Sequence, residues 1–565
     1  MSLFGTIQNA GNALAAAQIG LQVTGNNIAN ANTPGYIRER VVLTPSPTQR
    51  YGNLLLGTGV QVHSIVQQID QFLEEQFRSA NSDVASGEIQ ETTYSQLEGL
   101  IGELSDSDLS TSLSKFFNSI HDILNQPGSA GVRNIAVLQG QQLAADIRRL
   151  NDKAERIYEG LNQQVTDQAD SINNLVREIA DLNVQILQAE GGDTSPSEAV
   201  GLRDRRGIAL SGLAVIIDIR TSEQPNGTVA VYSGGDFLVF DGIHREVTTV
   251  STESNGLFTT NIHMVATDAP VGTAGGKLAG LVQSRDNIVG NFLGQLNTVA
   301  GALIEGFNQI YSSGQGNIGY SSLTSGIAPA DRDLPLDQTD LGITPVNGSF
   351  SLVIKNSATG ETRTTTVTVD LNGLDEDTSL ADLATQLEAI VGITAGITSA
   401  GKLTLSADDP NLTFSFGSDT SGVLGALGLN SFFTGSSAQD IDIDATLRAD
   451  PRRFAASLGG VGEDTANAEL LADFLSTPLS AQNGLTLAQL YDKLVSDTAQ
   501  GSAATRSATE GFRTFQKTLE GQSLAVSGVS LDEEAIRMIS FQRAFQASAK
   551  VIATINELFD TLLSL

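Results

Sequence analysis

Gly25-Asn26-Asn27-Ile28-Ala29-Asn30-Ala31-Asn32-Thr33-Pro34-Gly35-Tyr36 closes an uncharged helical pattern at the start of the chain. Leu3, Ile7, Ala10, Leu14, Ala17, Leu21, Thr24 and Ile28 step by 4, 3, 4, 3, 4, 3 and 4, the seam of a coiled-coil-like helix. Pro34 ends it, because its ring clashes with the preceding turn and its nitrogen carries no hydrogen. Gly35 supplies a residue free to take positive φ.

The far end mirrors the near one. Ser530 followed by Glu533 has the spacing of a capping box, and Asp532, Glu533 and Glu534 stand where the helix dipole favours acids. Behind them Met538, Phe545, Ile552 and Phe559 recur every seven residues, within a seam that also takes in Leu531, Ala535, Ala549 and Leu563. Ile539, Ile555 and Leu562 widen it. Two seamed helices at opposite ends of one chain are able to pair with each other.

Both ends resemble a known family. The seam followed by Asn27, Asn30, Asn32, Thr33, Gly35 and Tyr36 resembles the N-terminal signature of the flagellar rod, hook and hook-associated proteins, the axial family. Ser527, Gly528, Asp532, Glu533, Glu534 and Gln542, in Ser527-Gly528-Val529-Ser530-Leu531-Asp532-Glu533-Glu534 and Phe541-Gln542-Arg543-Ala544-Phe545-Gln546-Ala547, are similar to the C-terminal signature of its hook-associated protein 1 branch. Arg203-Asp204-Arg205, Ser284-Arg285-Asp286, Phe432-Phe433-Thr434-Gly435 and Asp450-Pro451 fall where that branch has characteristic positions.

Composition bounds the rest. At 565 residues the chain should hold three or more domains, and its formal charge is −32. Residues 1–80 carry four acids and four bases, and 526–565 five acids and three bases. Nearly all the negative charge therefore lies in the middle, suited to water, while near-neutral ends suit close packing. A basic surface for nucleic acid is not expected. There is no cysteine, which removes disulfides and thiolate metal sites. No run approaches the roughly 20 apolar residues of a membrane span. The first charged side chain is Arg38, so a cleavable secretory signal is not expected.

The fold class read from the sequence is multidomain α+β. It has paired N- and C-terminal coiled-coil-like helices, a long helical rod domain, and outward β-rich and α+β insertions. Residues 1–80 with 526–565 form the terminal helical core. Residues 81–195 with 272–320 and 441–525 form the rod. Its clearest row runs Ile147, Leu150, Ala154, Ile157, Leu161, Val165, Gln168, Ile172, Leu175, Ile179, Leu182 and Ile186, ending at Gly191-Gly192-Asp193. Breaks are expected at Ser105–Ser110 and Asn125–Gly131. Residues 196–271 read as a small β domain, with Leu213–Ile219 as a strand and Asn226-Gly227, Gly234-Gly235 and Asn255-Gly256 as hairpin turns. Residues 321–440, rich in Gly, Ser, Thr and Asp, read as an α+β outer insertion.

Catalytic chemistry is not indicated. His63, His121, His244 and His263 stand at no metal-ligand spacing, and Gly275-Gly276-Lys277-Leu278 lacks the first Gly and the final Ser/Thr of a phosphate loop. No cofactor is expected. The resemblance implies a structural, non-enzymatic subunit of the flagellum at the hook–filament junction, secreted through the flagellar type III channel. It implies as partners further copies of the chain, the hook protein, hook-associated protein 3 and a cytoplasmic export chaperone at the C-terminal region, with no nucleic acid and no membrane insertion. The alternatives are another axial protein (hook, distal rod or hook-associated protein 3), an enzyme carried on an axial scaffold, and a surface adhesin module. The long helical segment 131–190 and the Ser-Gly-Val-Ser-Leu-Asp-Glu-Glu run argue against the first, residues 321–440 hold no His and no Cys to support the second, and no ligand motif supports the third.

Overall fold

The computed structural model describes residues 3–51, 53–102, 108–191, 197–254, 257–272, 274–374, 376–462 and 464–563. The fold is multidomain α+β. Helices α1 (Leu3–Ala29), α2 (Gln71–Gly102), α3 (Leu109–Asn125), α4 (Ala130–Glu190), α5 (Val200–Ile216), α6 (Gly276–Gln283), α7 (Gly290–Tyr311), α8 (Leu380–Glu388), α9 (Val423–Ala426), α10 (Ala445–Ala449), α11 (Ala466–Asp473), α12 (Leu487–Ser527) and α13 (Leu531–Leu563) follow in chain order. None of the described helices is long and apolar enough to cross a membrane. The chain divides into two compact units.

The first unit comprises Met1–Thr92, Glu159–Asn287 and Ala503–Leu565. In it α1 leads into an antiparallel pair of strands, Glu39–Pro45 and Val60–Gln67. A four-stranded antiparallel sheet orders Arg220–Glu223, Val229–Ser233, Asp236–Phe240 and Ile243–His244 side by side, and Val247–Ser254 pairs with Leu257–Met264. Gly234 and Gly235, at φ 59° and 97°, make the tight turn between the second and third strands of that sheet. The expected turn at Asn255-Gly256 lies outside the described residues, as do Gly192-Asp193 and the 105–107 part of the expected break at Ser105–Ser110.

Three asparagines on one side of α4 hold these strands. Asn162 donates to Phe258 O and accepts from Thr260 N. Asn173 donates to Val247 O and accepts from Val247 N. Asn183, fully buried, donates to Val229 O and Asp241 O and accepts from Val229 N. Each carboxamide thus imitates a neighbouring strand's peptide group and satisfies a backbone donor and acceptor that burial would otherwise penalise. Arg285, fully buried in a π-helical turn at Ser284–Val289, reinforces the first of them through Asn162 Oδ1 at 3.1 Å and Thr260 O.

One expectation is corrected here. Leu213–Ile219 is not a strand: Leu213–Ile216 is the last turn of α5, and Ile217 turns extended, at φ −138°, before the first strand of the sheet at Arg220. Leu210, Leu213 and Ala214 are buried at helical spacing. A short apolar β-branched run is ambiguous by periodicity, and the preceding residues set the outcome.

The second unit comprises Thr93–Tyr158 and Ile288–Ser502. Its centre is aromatic: Phe116, Phe117, Phe307, Tyr311, Phe432, Phe433, Phe454 and Phe474 form a continuous cluster, closest at Phe432–Phe433 with 4.7 Å between centroids. Fully burying one such ring is worth about 1.5–3 kcal/mol. Asn308 fixes the chain there, accepting from Phe432 N and Phe433 N and donating to Phe433 O. Residues 321–440 carry two three-stranded sheets around a core that includes Leu352, Leu383, Leu405, Phe414 and Leu424. Their helix α8 starts at Ser379, which makes a reciprocal capping box with Asp382.

Candidate assembly site

Helices α1 and α13 pack antiparallel. Phe4 meets Phe559 at 5.3 Å between ring centroids, Phe541 covers Gly20, and Asn27 donates to Glu534 Oε2 at 3.1 Å. Small residues let the backbones approach: Ala10, Ala16, Ala17, Gly20, Val23, Thr24 and Asn27 are the buried residues of α1. The larger seam residues Leu3, Ile7, Leu14, Leu21 and Ile28 flank that line and are half-buried. On α13, Glu534, Ser548 and Ile555 are buried, with Met538, Phe545, Ile552 and Phe559 half-buried beside them.

The pair leaves a second apolar row uncovered. Ile536, Ile539, Val551 and Leu558 are 69%, 50%, 41% and 50% exposed, on the side of α13 away from α1, while Leu562, also exposed, continues by steps of seven the α1-facing row of Glu534, Phe541, Ser548 and Ile555. Leu531, placed in the seam by its spacing, is also exposed, as are Ala535 and Leu563.

At the 27/534 end the pair is clasped by polar groups. Asn27 donates to Glu39 O and accepts from Glu39 N and from the Tyr36 hydroxyl, the last at 2.8 Å. Arg38 is buried, donates through Nε to Glu534 Oε1 at 2.9 Å, and lies 2.7 Å from the Glu533 carboxylate. Its peptide N–H reaches Ser527 O at 2.9 Å. Burial opposes its charge, but Glu534 and Glu533 outweigh that and hold its pKa above the ordinary arginine value. Burial also raises the pKa of the Glu39 carboxyl and of the Tyr36 hydroxyl. Asp204, beside this cluster, is pushed up to about 6, chiefly by burial, with its bonds from Gln67 and the Ile37 N–H acting against the rise.

The remaining motif residues shape the turn. Asn30 accepts from Thr33 at both backbone and hydroxyl, and Gly35 has φ 76° with Ile208 above it, 2.5 Å from where a Cβ would stand. Gly528 closes the C-terminal end of α12 by donating to Leu524 O. Asn32, Asp532 and Gln542 face solvent. The Ser530 cap is made on one side only: Glu533 N donates to Ser530 Oγ at 3.5 Å, while the Glu533 carboxylate engages Arg38. Glu534 is not a capping acid but the fully buried partner of Arg38 and Asn27.

The structure adds functional residues that the pattern did not single out. Arg38 and Glu39 follow the motif directly, yet nothing in their spacing marks them as buried. Phe541 and Gly20 meet only through the register of the pair.

Three families match the chain in order. The one described as Flagella basal body rod protein matches 7–36, Flagellar hook-associated protein FlgK helical domain matches 94–321, and Flagellar basal body rod FlgEFG protein C-terminal matches 520–565. Flagellar hook-associated protein 1 of Bacillus subtilis (strain 168) is 24% identical over 100% of this chain and 98% of its own length. That of Escherichia coli (strain K12) is 26% identical over 99% of both. Over its whole length the chain is similar to flagellar hook-associated protein 1. A solved structure, that of the flagellar hook junction protein FlgK from Burkholderia pseudomallei, shares the fold with a TM-score of 0.53 at 15% identity, covering 80% of this chain and 100% of that one. These likenesses support a structural component of the flagellum, and the α1–α13 pair lies in the segments that the axial rod families match.

Proposed function

We propose that this chain is the subunit joining hook to filament, and that it assembles through the α1–α13 pair. The observation that carries this reading is the uncovered row Ile536, Ile539, Val551 and Leu558, on a helix whose opposite face is already occupied by α1. Exposed apolar rows of this kind mark association surfaces. Neighbouring copies would cover it, each contributing the same pair to a tube, with the acidic middle of the chain toward water. Residues 1–80 with 526–565 would form the axial core, 81–195 with 272–320 and 441–525 the rod around it, and 196–271 and 321–440 the outward domains.

The near-neutral ends support packing close to an axis, and the names of the relatives support the junction as the place. The partners follow from that place: hook protein on one side, hook-associated protein 3 on the other, and lateral copies. The chain would leave the cell unfolded through the flagellar type III channel, after a cytoplasmic chaperone has covered the C-terminal region. No catalytic step belongs to this role.

The test is electron microscopy of flagella from a strain lacking the gene, before and after complementation. Hooks without filaments, with filament subunits in the medium, are the expected result. Normal filaments would overturn the reading.

A further inference from the structure

The second unit contains an open cleft of about 640 Å³ that the assembly role does not use. Ile304, Ile327, Ile343 and Phe433 give it apolar walls. Its backbone is bare at Gly326, Gly425 and Gly428, so the chain itself forms part of the lining.

Four polar side chains converge on it. Glu305 is half-buried and has no hydrogen bond or ion pair among the described residues, and burial raises its pKa. Asp340 and Lys402 line the same cleft, and their charged ends likewise have no partner among the described residues. Ser431 is 6% exposed, and its hydroxyl oxygen is buried without a partner. Other buried polar groups of this unit are paired, as with Asn308 on Phe432 and Phe433 or Asn430 on Ser312 and Gly314, while Gln315 Oε1, Asn317 Oδ1, Asp337 Oδ1 and Asn467 Oδ1 share the unpartnered state of Ser431 away from the cleft. A cleft of this size with apolar walls and a few convergent polar groups has the make-up of a small-molecule site.

We propose that this cleft binds a short zwitterionic peptide or amino acid with aliphatic side chains. Its ammonium is received by Glu305 and Asp340, its carboxylate by Lys402, and its apolar body by the isoleucine walls. Both signs of charge stand at one cleft, so neither a simple anion nor a simple cation satisfies them together. This site is independent of the helix pair, and the proposal stands or falls apart from the junction role.

Full-length protein with labelled isoleucine methyl groups, titrated with leucyl-leucine, tests it by NMR. The expected result is saturable shifts of the Ile304, Ile327 and Ile343 methyls. N-acetylation or C-terminal amidation of the dipeptide should each weaken binding by about tenfold or more, the loss of one charge-assisted contact. Glu305→Gln combined with Asp340→Asn should remove the penalty for acetylation, and Lys402→Met the penalty for amidation. All three side chains lie at least partly in solvent, so the remaining isoleucine spectrum reports that the variants are folded. Absence of shifts at these three methyls, or equal binding of the doubly blocked dipeptide, would overturn the proposal.

Discussion

The ring of Phe541 fills the space that a side chain at Gly20 would need, with its edge 2.6 Å from the position of an added Cβ. Helix α1 is therefore held against α13 by an absence, and the two residues specify the register jointly.

The first prediction contrasts two glycines of α1. Gly11 has open space around its Cβ position, so Gly11→Ala should stabilise the chain by about 0.5–1 kcal/mol through helix propensity. Gly20→Ala makes the same propensity gain but must displace Phe541, and should destabilise by about 1–3 kcal/mol net. Urea unfolding followed by circular dichroism measures both. Equal signs for the two substitutions would mean that the register is wrong.

The buried ion pair gives the second. Arg38→Met leaves the buried Glu534 carboxylate with Asn27 and the more distant Arg537, 4.0 Å away, and should cost about 3 kcal/mol. Combining it with Glu534→Met removes the stranded charge and should recover a large part of that loss. A double variant as unstable as the sum of the single ones would show that the two side chains do not act as a pair.

A third set separates folding from assembly. Ile539 is half exposed on the uncovered face of α13, so Ile539→Asp should leave the isolated chain within about 0.5 kcal/mol of its parent. In cells it should give secreted protein, hooks without filaments, and filament subunits in the medium. Phe545 faces α1, so Phe545→Asp should lower stability as well, by about 2 kcal/mol or more. Arg543→Asp, at an exposed position, should be milder than either. Motility and electron microscopy of complemented strains score all three, and normal filaments with Ile539→Asp would remove that face from the contact.

The fourth concerns pH. The Asp204 pKa of about 6 lies above its ordinary value of 3.8, so its ionised form is disfavoured in the fold. The penalty is fully present above pH 6 and fades as pH falls toward 4. Asp204→Asn keeps an oxygen for Gln67 and the Ile37 N–H. It should stabilise the chain at pH 7 by about 1–2 kcal/mol, allowing for partial screening by solvent. The difference from the parent should shrink toward pH 4 in urea titrations. A difference that stays constant with pH would assign the effect to packing instead of ionisation.

What the sequence carried legibly was periodicity. The rows of α1, α4 and α13 announce long helices, because apolar steps of three and four return to one face only when the backbone turns every 3.6 residues. The turn at Gly234-Gly235 and the cap at Ser379 were equally open to reading, since each depends on one or two residues acting locally. The residues of the α1–α13 pair were legible as two seams, but their contacts were not. Glu534 reads as one of three acids following a helix cap, and only the antiparallel pairing reveals it as a buried counter-ion 496 positions from Arg38. The depth of small residues was similarly hidden: Ala16, Gly20 and Asn27 are more buried than Leu14 or Leu21, because close backbone approach selects for size and not for hydrophobicity. Leu213–Ile219 failed for the opposite reason, as its own composition favours a strand while its neighbours wind it into α5.

The asparagines at 162, 173 and 183 make the length of α4 a fixed quantity. Each residue added or removed turns everything beyond it by about 100° and shifts it by about 1.5 Å. A one-residue deletion between Asn173 and Asn183 would swing one carboxamide away from Val229 while leaving the other on Val247. The strands cannot follow both. This stretch of helix is in effect a gauge block: it tolerates changes of side chain on its solvent face but not changes of count, and the spacing of the small sheets is measured against it.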